Sequence, residues 1–93
     1  MKCAGETATI VGTRGNDVLR GTAGSDVIVG RAGNDRIKGL GGDDIVCGSG
    51  GNDRIHGGSG DDELKGGAGN DRIIGGAGSD RLVGGPGTDR IRQ

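Results

Sequence analysis

Cut from Gly12, the chain falls into nine consecutive nine-residue units without a single insertion: GTRGNDVLR, GTAGSDVIV, GRAGNDRIK, GLGGDDIVC, GSGGNDRIH, GGSGDDELK, GGAGNDRII, GGAGSDRLV and GGPGTDRIR. Position one is glycine in all nine (Gly12 to Gly84), and so is position four (Gly15 to Gly87). Position six is always aspartate and position eight is always Leu, Ile or Val. Self-similarity at a fixed short period is the signature of a stacked repeat architecture. It leaves few other folds open.

Each column has a physical reading. Two glycines three residues apart mark a tight turn that needs positive φ or a close backbone approach. A lone aliphatic between two polar-permissive positions is a short strand with one inward side chain. Such a unit can bury its single aliphatic only against a neighbour, so units stack, two per turn. The expected fold is all-β, a right-handed parallel β-roll of about five turns of 18 residues, with two short parallel sheets. Residues 9–93 form the roll and residues 1–8 a separate N-terminal cap segment. Ile10, Leu19, Ile28, Ile37, Val46, Ile55, Leu64, Ile73, Leu82 and Ile91 would line a thin core.

Composition shows why that core needs help. The chain has 25 glycines and no Phe, Tyr or Trp. Glycine raises the entropy lost on folding, and the large buried area that aromatics supply is absent. A metal is one of the standard staples for small scaffolds. Stacking sets residue i over residue i+18, so Asp17, Asp35, Asp53, Asp71 and Asp89 form a column on one edge. Asp26, Asp44, Asp62 and Asp80 form another on the opposite edge. Carboxylates at the ~4.8 Å strand spacing repel by about 1 kcal/mol per pair even in water. Carboxylates together with turn carbonyls make an all-oxygen site that suits Ca²⁺. Thiolate and imidazole, which favour zinc or copper, are absent from the columns.

The nine units resemble the RTX (repeats-in-toxin) family, whose G-G-x-G-x-D-x-U-x nonapeptide is a Ca²⁺-binding β-helix repeat. The resemblance covers residues 10–92. It implies that each ion sits between loops one full turn apart. The earlier loop would give carbonyls from positions two and four, the later loop from positions one and three, and both their aspartate. On the first edge this implies Thr13, Gly15 and Asp17 with Gly30, Ala32 and Asp35, followed by Arg31, Gly33 and Asp35 with Gly48, Gly50 and Asp53. Next come Ser49, Gly51 and Asp53 with Gly66, Ala68 and Asp71, then Gly67, Gly69 and Asp71 with Gly84, Pro86 and Asp89. On the second edge it implies Thr22, Gly24 and Asp26 with Gly39, Gly41 and Asp44, then Leu40, Gly42 and Asp44 with Gly57, Ser59 and Asp62. The last pairs Gly58, Gly60 and Asp62 with Gly75, Ala77 and Asp80. Pairing each unit with the next but one gives about seven Ca²⁺ ions. Position two is glycine only in the last four units (Gly58, Gly67, Gly76 and Gly85). Since it donates a carbonyl, a side chain there is expected to be tolerable where the local φ is negative.

Positions seven and nine point outward. One sheet shows Val11, Val27, Val29, Ile45, Cys47 and Val83, interrupted by Glu63, Lys65 and Arg81. The other shows Arg20, Arg36, Lys38, Arg54, His56, Arg72, Arg90 and Arg92. An apolar face wants a cover. Cys47 lies on it, and Cys3 lies in the one non-repeat segment, so a Cys3–Cys47 disulfide pinning that segment is expected. The six residues from Cys3 to Thr9 reach up to ~20 Å. The basic row either serves as well-solvated strand residues or binds an anionic surface polymer. Specific nucleic-acid recognition is not expected, because no aromatic offers a stacking platform.

An enzyme is not expected either, since His56 is the only histidine and a flat sheet gathers no catalytic pocket around it. No apolar run is long enough for a transmembrane helix. Met1-Lys2 runs straight into Cys3 without a signal peptide. The resemblance implies a secreted, extracellular bacterial setting and a module that folds on binding Ca²⁺. A calcium-rigidified scaffold whose Arg-rich face holds an anionic partner is the alternative. The last strand, Arg90 to Arg92, would leave an edge open to self-association.

Overall fold

The computed structural model describes residues 1–93. It is all-β, with twelve strands and no helix. The first two, β1 (Lys2–Cys3) and β2 (Glu6–Thr7), form an antiparallel hairpin. Its two turn residues, Ala4 and Gly5, have φ of 53° and 84°, the pair of positive values that a two-residue hairpin loop requires. The remaining ten are β3 (Ile10–Val11), β4 (Val18–Arg20), β5 (Val27–Val29), β6 (Arg36–Lys38), β7 (Ile45–Cys47), β8 (Arg54–His56), β9 (Glu63–Lys65), β10 (Arg72–Ile74), β11 (Arg81–Val83) and β12 (Arg90–Arg92).

They alternate between two five-stranded parallel sheets, ordered β3-β5-β7-β9-β11 and β4-β6-β8-β10-β12. Every pairing sets residue i against residue i+18, as in Ile37 with Ile55 and Ile55 with Ile73. The fold is therefore a β-solenoid of about five turns. Both shoulders of each turn are stitched to the next. Arg54 N donates to Asp35 O and Gly48 N donates to Lys65 O, each at 2.8 Å, and the same bonds recur along the stack.

The core is one file of aliphatics between the sheets. Ile28, Ile37, Val46, Ile55, Leu64 and Ile73 are buried, with Ile10, Leu19 and Leu82 partly buried against them. Ile91 departs from the expected core: it is 46% exposed on β12, the outermost strand of its sheet.

The hairpin packs across the outer face of β5 and β7. Cys3 is 1% exposed and is bonded to Cys47. Val29 is 4% exposed beneath this cover, whereas Val11 and Val83 of the same sheet remain 44% and 46% exposed. The hairpin thus shields the middle of the apolar face and leaves its ends open.

Candidate metal centre

The loops at the two edges stack as regularly as the strands. From Asp35 onward, each aspartate of the two columns reaches one turn back with Oδ1, which accepts the backbone N–H of the aspartate 18 residues earlier. Asp17 N donates to Asp35 Oδ1, Asp35 N to Asp53 Oδ1, Asp53 N to Asp71 Oδ1 and Asp71 N to Asp89 Oδ1, at 2.8–2.9 Å. On the other edge Asp26 N donates to Asp44 Oδ1, Asp44 N to Asp62 Oδ1 and Asp62 N to Asp80 Oδ1. Both expected columns are therefore assembled, and each carboxylate from Asp35 onward is oriented by the turn before it.

The second oxygen is different. Oδ2 of Asp35, Asp44, Asp53, Asp62, Asp71 and Asp80 is buried and accepts no hydrogen bond. An unpaired buried polar atom costs ~1–3 kcal/mol, and more when charged. Six in a row, at one per unit, cannot be incidental to a stable fold.

What lies beside them is oxygen. A Cβ placed on Gly48 would sit 2.6 Å from Asp53 Oδ2 and 2.9 Å from Gly66 O. The same cradle recurs at Gly30, between Asp35 Oδ2 and Gly48 O at 2.8 and 3.0 Å, and at Gly57, between Asp62 Oδ2 and Gly75 O at 2.6 and 2.8 Å. Position one is thus glycine for space and not for φ. No backbone carbonyl at positions one to four accepts a hydrogen bond from the chain. Only 35 backbone–backbone hydrogen bonds form in 93 residues, against roughly 60 for an ordinary domain of this size. Much of the shortfall lies in these loop carbonyls.

Nowhere do three His, Cys, Asp or Glu side chains converge. A cation held here would take paired carboxylates completed by carbonyls, a hard-oxygen set suited to Ca²⁺. The residues present fit that ion.

Position two needs a correction. Arg31, Leu40 and Ser49 adopt φ of 69°, 68° and 71°, not the negative φ expected for side chains there. They share the left-handed turn of Gly58, Gly67, Gly76 and Gly85, at about 1–2 kcal/mol for each non-glycine residue.

Thr13 and Thr22 lie outside this pattern and do something else. Thr13 Oγ1 donates to Asp17 at 3.0 Å, and its backbone N–H donates to Asp17 Oδ2 at 2.7 Å. Thr22 does the same for Asp26. The hydroxyls also accept N–H bonds from Gly15 and Gly24. The first two aspartates of the roll are therefore satisfied by protein, while the six that follow are not.

Sequence reasoning also missed position five. Asn34 N donates to Asn16 Oδ1, Asn52 N to Asn34 Oδ1, Asn70 N to Asn52 Oδ1 and Thr88 N to Asn70 Oδ1. Ser25, Asp43 and Asp61 accept in the same way on the opposite edge. The signal was available: column five contains only Asn, Asp, Ser and Thr, the short acceptors that bond to nearby backbone.

Burial and crowding act on the carboxyls together. Asp53 is pushed from the usual 3.8 up to about 7, first by burial and then by the flanking Asp35 and Asp71 charges, against the lowering effect of the Asp35 N–H. Asp44 and Asp62 rise to about 6 for the same first reason, with Asp26 and Asp44 as their respective leading neighbours. Asp35 and Asp71 are also raised.

These carboxyls bind protons more tightly in the metal-free fold than in the unfolded chain. Their contribution is present below pH 3.8 and is lost as pH rises through 6 to 7. In EDTA the β spectrum is therefore expected to be stronger at pH 5 than at pH 8. With calcium the order reverses, because the ion must displace those protons: the midpoint of a calcium titration should rise as pH falls. Circular dichroism at the two pH values checks both signs, and a metal-free spectrum that weakens on acidification contradicts this account.

The sequence model of the family described as RTX calcium-binding nonapeptide repeat (4 copies) matches residues 6–37, 20–55 and 56–91. Searches of curated proteins and of solved structures each returned no match.

Proposed function

The chain belongs to the RTX calcium-binding nonapeptide repeat family, a calcium-binding β-roll, and from that premise we propose that it is a module whose folding is driven by Ca²⁺ bound between loops one turn apart. The six buried Oδ2 atoms without partners carry this reading. Bound calcium would supply the positive charge that lets those carboxylates remain ionised at one-turn spacing.

The chain's own residues do the rest. Oδ1 is held by the preceding turn's N–H, which aims Oδ2 at the cradle beside the position-one glycine. Asp17, Asp26, Asp35, Asp44, Asp53, Asp62, Asp71, Asp80 and Asp89 serve as the charged ligands, with the loop carbonyls completing each set. Seven successive pairings would hold about seven ions. An ion that binds the stack and not the coil turns binding free energy into folding free energy. RTX repeats are typical of secreted bacterial proteins. In that setting the module stays disordered at low cytosolic calcium and folds outside. The chain acts here as a binding and folding element, not as an enzyme.

The test is far-UV circular dichroism during Ca²⁺ and Mg²⁺ titrations from EDTA, with native mass spectrometry to count ions. A coil-to-β transition with Ca²⁺, none with Mg²⁺, and close to seven ions bound are expected. An EDTA spectrum identical to the calcium spectrum would overturn the reading.

A further inference from the structure

The sheet β4-β6-β8-β10-β12 has an outer face without a single carboxylate. Seven of the chain's twelve Lys and Arg residues project from it, while all 13 Asp and Glu lie elsewhere. Strand register sorts these cations into rows. Arg36, Arg54, Arg72 and Arg90 are direct neighbours on successive strands. Lys38 stacks on Arg20 and His56 on Lys38, with Ile74 separating His56 from Arg92. Val18, at 73% exposure, ends the first row. The two apolar residues interrupt an otherwise basic face.

Like charges at ~4.8 Å repel, and no carboxylate forms an ion pair with any of them. The one ion pair, Arg81 with Glu63 at 3.6 Å, is on the opposite sheet. A shallow groove runs between the side chains of Arg36, Lys38, Arg54, His56, Arg72 and Ile74. Calcium in the edge loops would add positive charge and deepen this imbalance.

We infer that this face binds one extended chain of a sulfated polysaccharide lying along the stack axis. The strip is three residues wide, about 10 Å, and five strands long, about 20 Å. Those dimensions suit a single linear polyanion and not a duplex or a lipid surface. No aromatic is available to stack bases, so single-stranded nucleic acid gains nothing beyond charge. Among linear anionic polymers the anion's appetite for calcium decides. Carboxylates and phosphates are hard-oxygen Ca²⁺ ligands that compete with the aspartates. A sulfate ester spreads one charge over three oxygens, coordinates Ca²⁺ weakly, and fits the guanidinium fork. That last step rests on the calcium-loaded reading above.

The test uses dextran sulfate and uncharged dextran with the whole chain at saturating Ca²⁺ and low salt, with circular dichroism on the same samples. Retention by dextran sulfate alone is expected. It should be lost at 1 M salt, where screening falls to ~3 Å. The double variant Arg54→Gln/Arg72→Gln should bind on the order of tenfold more weakly with an unchanged calcium midpoint. Lys65→Gln/Arg81→Gln, on the other sheet, should bind as the parent does. A roll folded in calcium that ignores dextran sulfate overturns this inference alone. So does equal weakening by both double variants, undiminished retention of a chain that shows no sheet, or tighter binding of oligo-dT or polyuronate. Retention that persists in EDTA with the sheet intact leaves the face standing and removes the calcium-driven folding instead.

Discussion

Removing calcium from the oxidised protein is expected to unfold the C-terminal turns while the N-terminal end of the roll keeps protected amides; reduction should abolish that residual structure. The end with β1 and β2 differs from the rest in two ways. Thr13 and Thr22 satisfy Asp17 and Asp26 without metal, and Cys3 is bonded to Cys47 across a separation of 44 residues. Closing a loop of that length removes about 4 kcal/mol of unfolded-chain entropy. A domain of this size has only ~5–15 kcal/mol of total stability, so the bond weighs heavily once the ions are gone.

Beyond Cys47 the buried Oδ2 atoms of Asp53, Asp62, Asp71 and Asp80 have no partner, and those turns have neither support. With calcium present both redox forms should fold. The reduced form needs more of it, with a titration midpoint raised about two- to threefold if the lost 4 kcal/mol is shared among roughly seven ions. Hydrogen exchange followed by mass spectrometry in EDTA, with and without reductant, reads this directly. Uniform exchange along the oxidised chain would show that neither the threonine caps nor the clamp holds a nucleus.

Substitution at two adjacent glycines should give opposite results. Gly51 has φ of 89°, and a Cβ there would collide with Gly33 O of the turn below. Alanine therefore meets both a left-handed backbone penalty of about 1–2 kcal/mol and an overpacking cost of about 1–3 kcal/mol. Gly50 has nothing within 4 Å of the added atom and no positive φ. Gly50→Ala should fall within about 0.5 kcal/mol of the parent. Gly51→Ala should lose about 2–5 kcal/mol and open the stack at its middle turn. Urea denaturation at fixed saturating calcium measures both. Equal stabilities would mean that the stacked loops yield more readily than their close carbonyl contacts indicate.

Much of this architecture was legible in the repeat. The 18-residue register, the two aspartate columns and the aliphatic file follow from fixed columns, since a unit with one inward residue has no other way to bury it. The outward cation rows follow from the same alternation. Position five escaped notice because a hydrogen bond between short polar side chains and a backbone one turn away depends on how closely the loops approach. Position two was misjudged as well. Arg31, Leu40 and Ser49 take the same left-handed turn as Gly58, Gly67, Gly76 and Gly85, against the ordinary aversion of side chains to that backbone.

By itself, then, the sequence determined the period, the sheets, the choice of carboxylate over thiolate ligands, and which residues face each way. Only the tertiary structure decided which carboxylate oxygen is satisfied and which is left bare. It also separated glycines kept for space alone, such as Gly48, from those kept for φ as well, such as Gly51, and showed that Thr13 and Thr22 cap the first two loops. The physical reason is common to all three. Each depends on approaches of 3.0 Å or less, between loops 18 residues apart or within a single loop. A repeat specifies that such atoms will be neighbours without specifying which of them will touch.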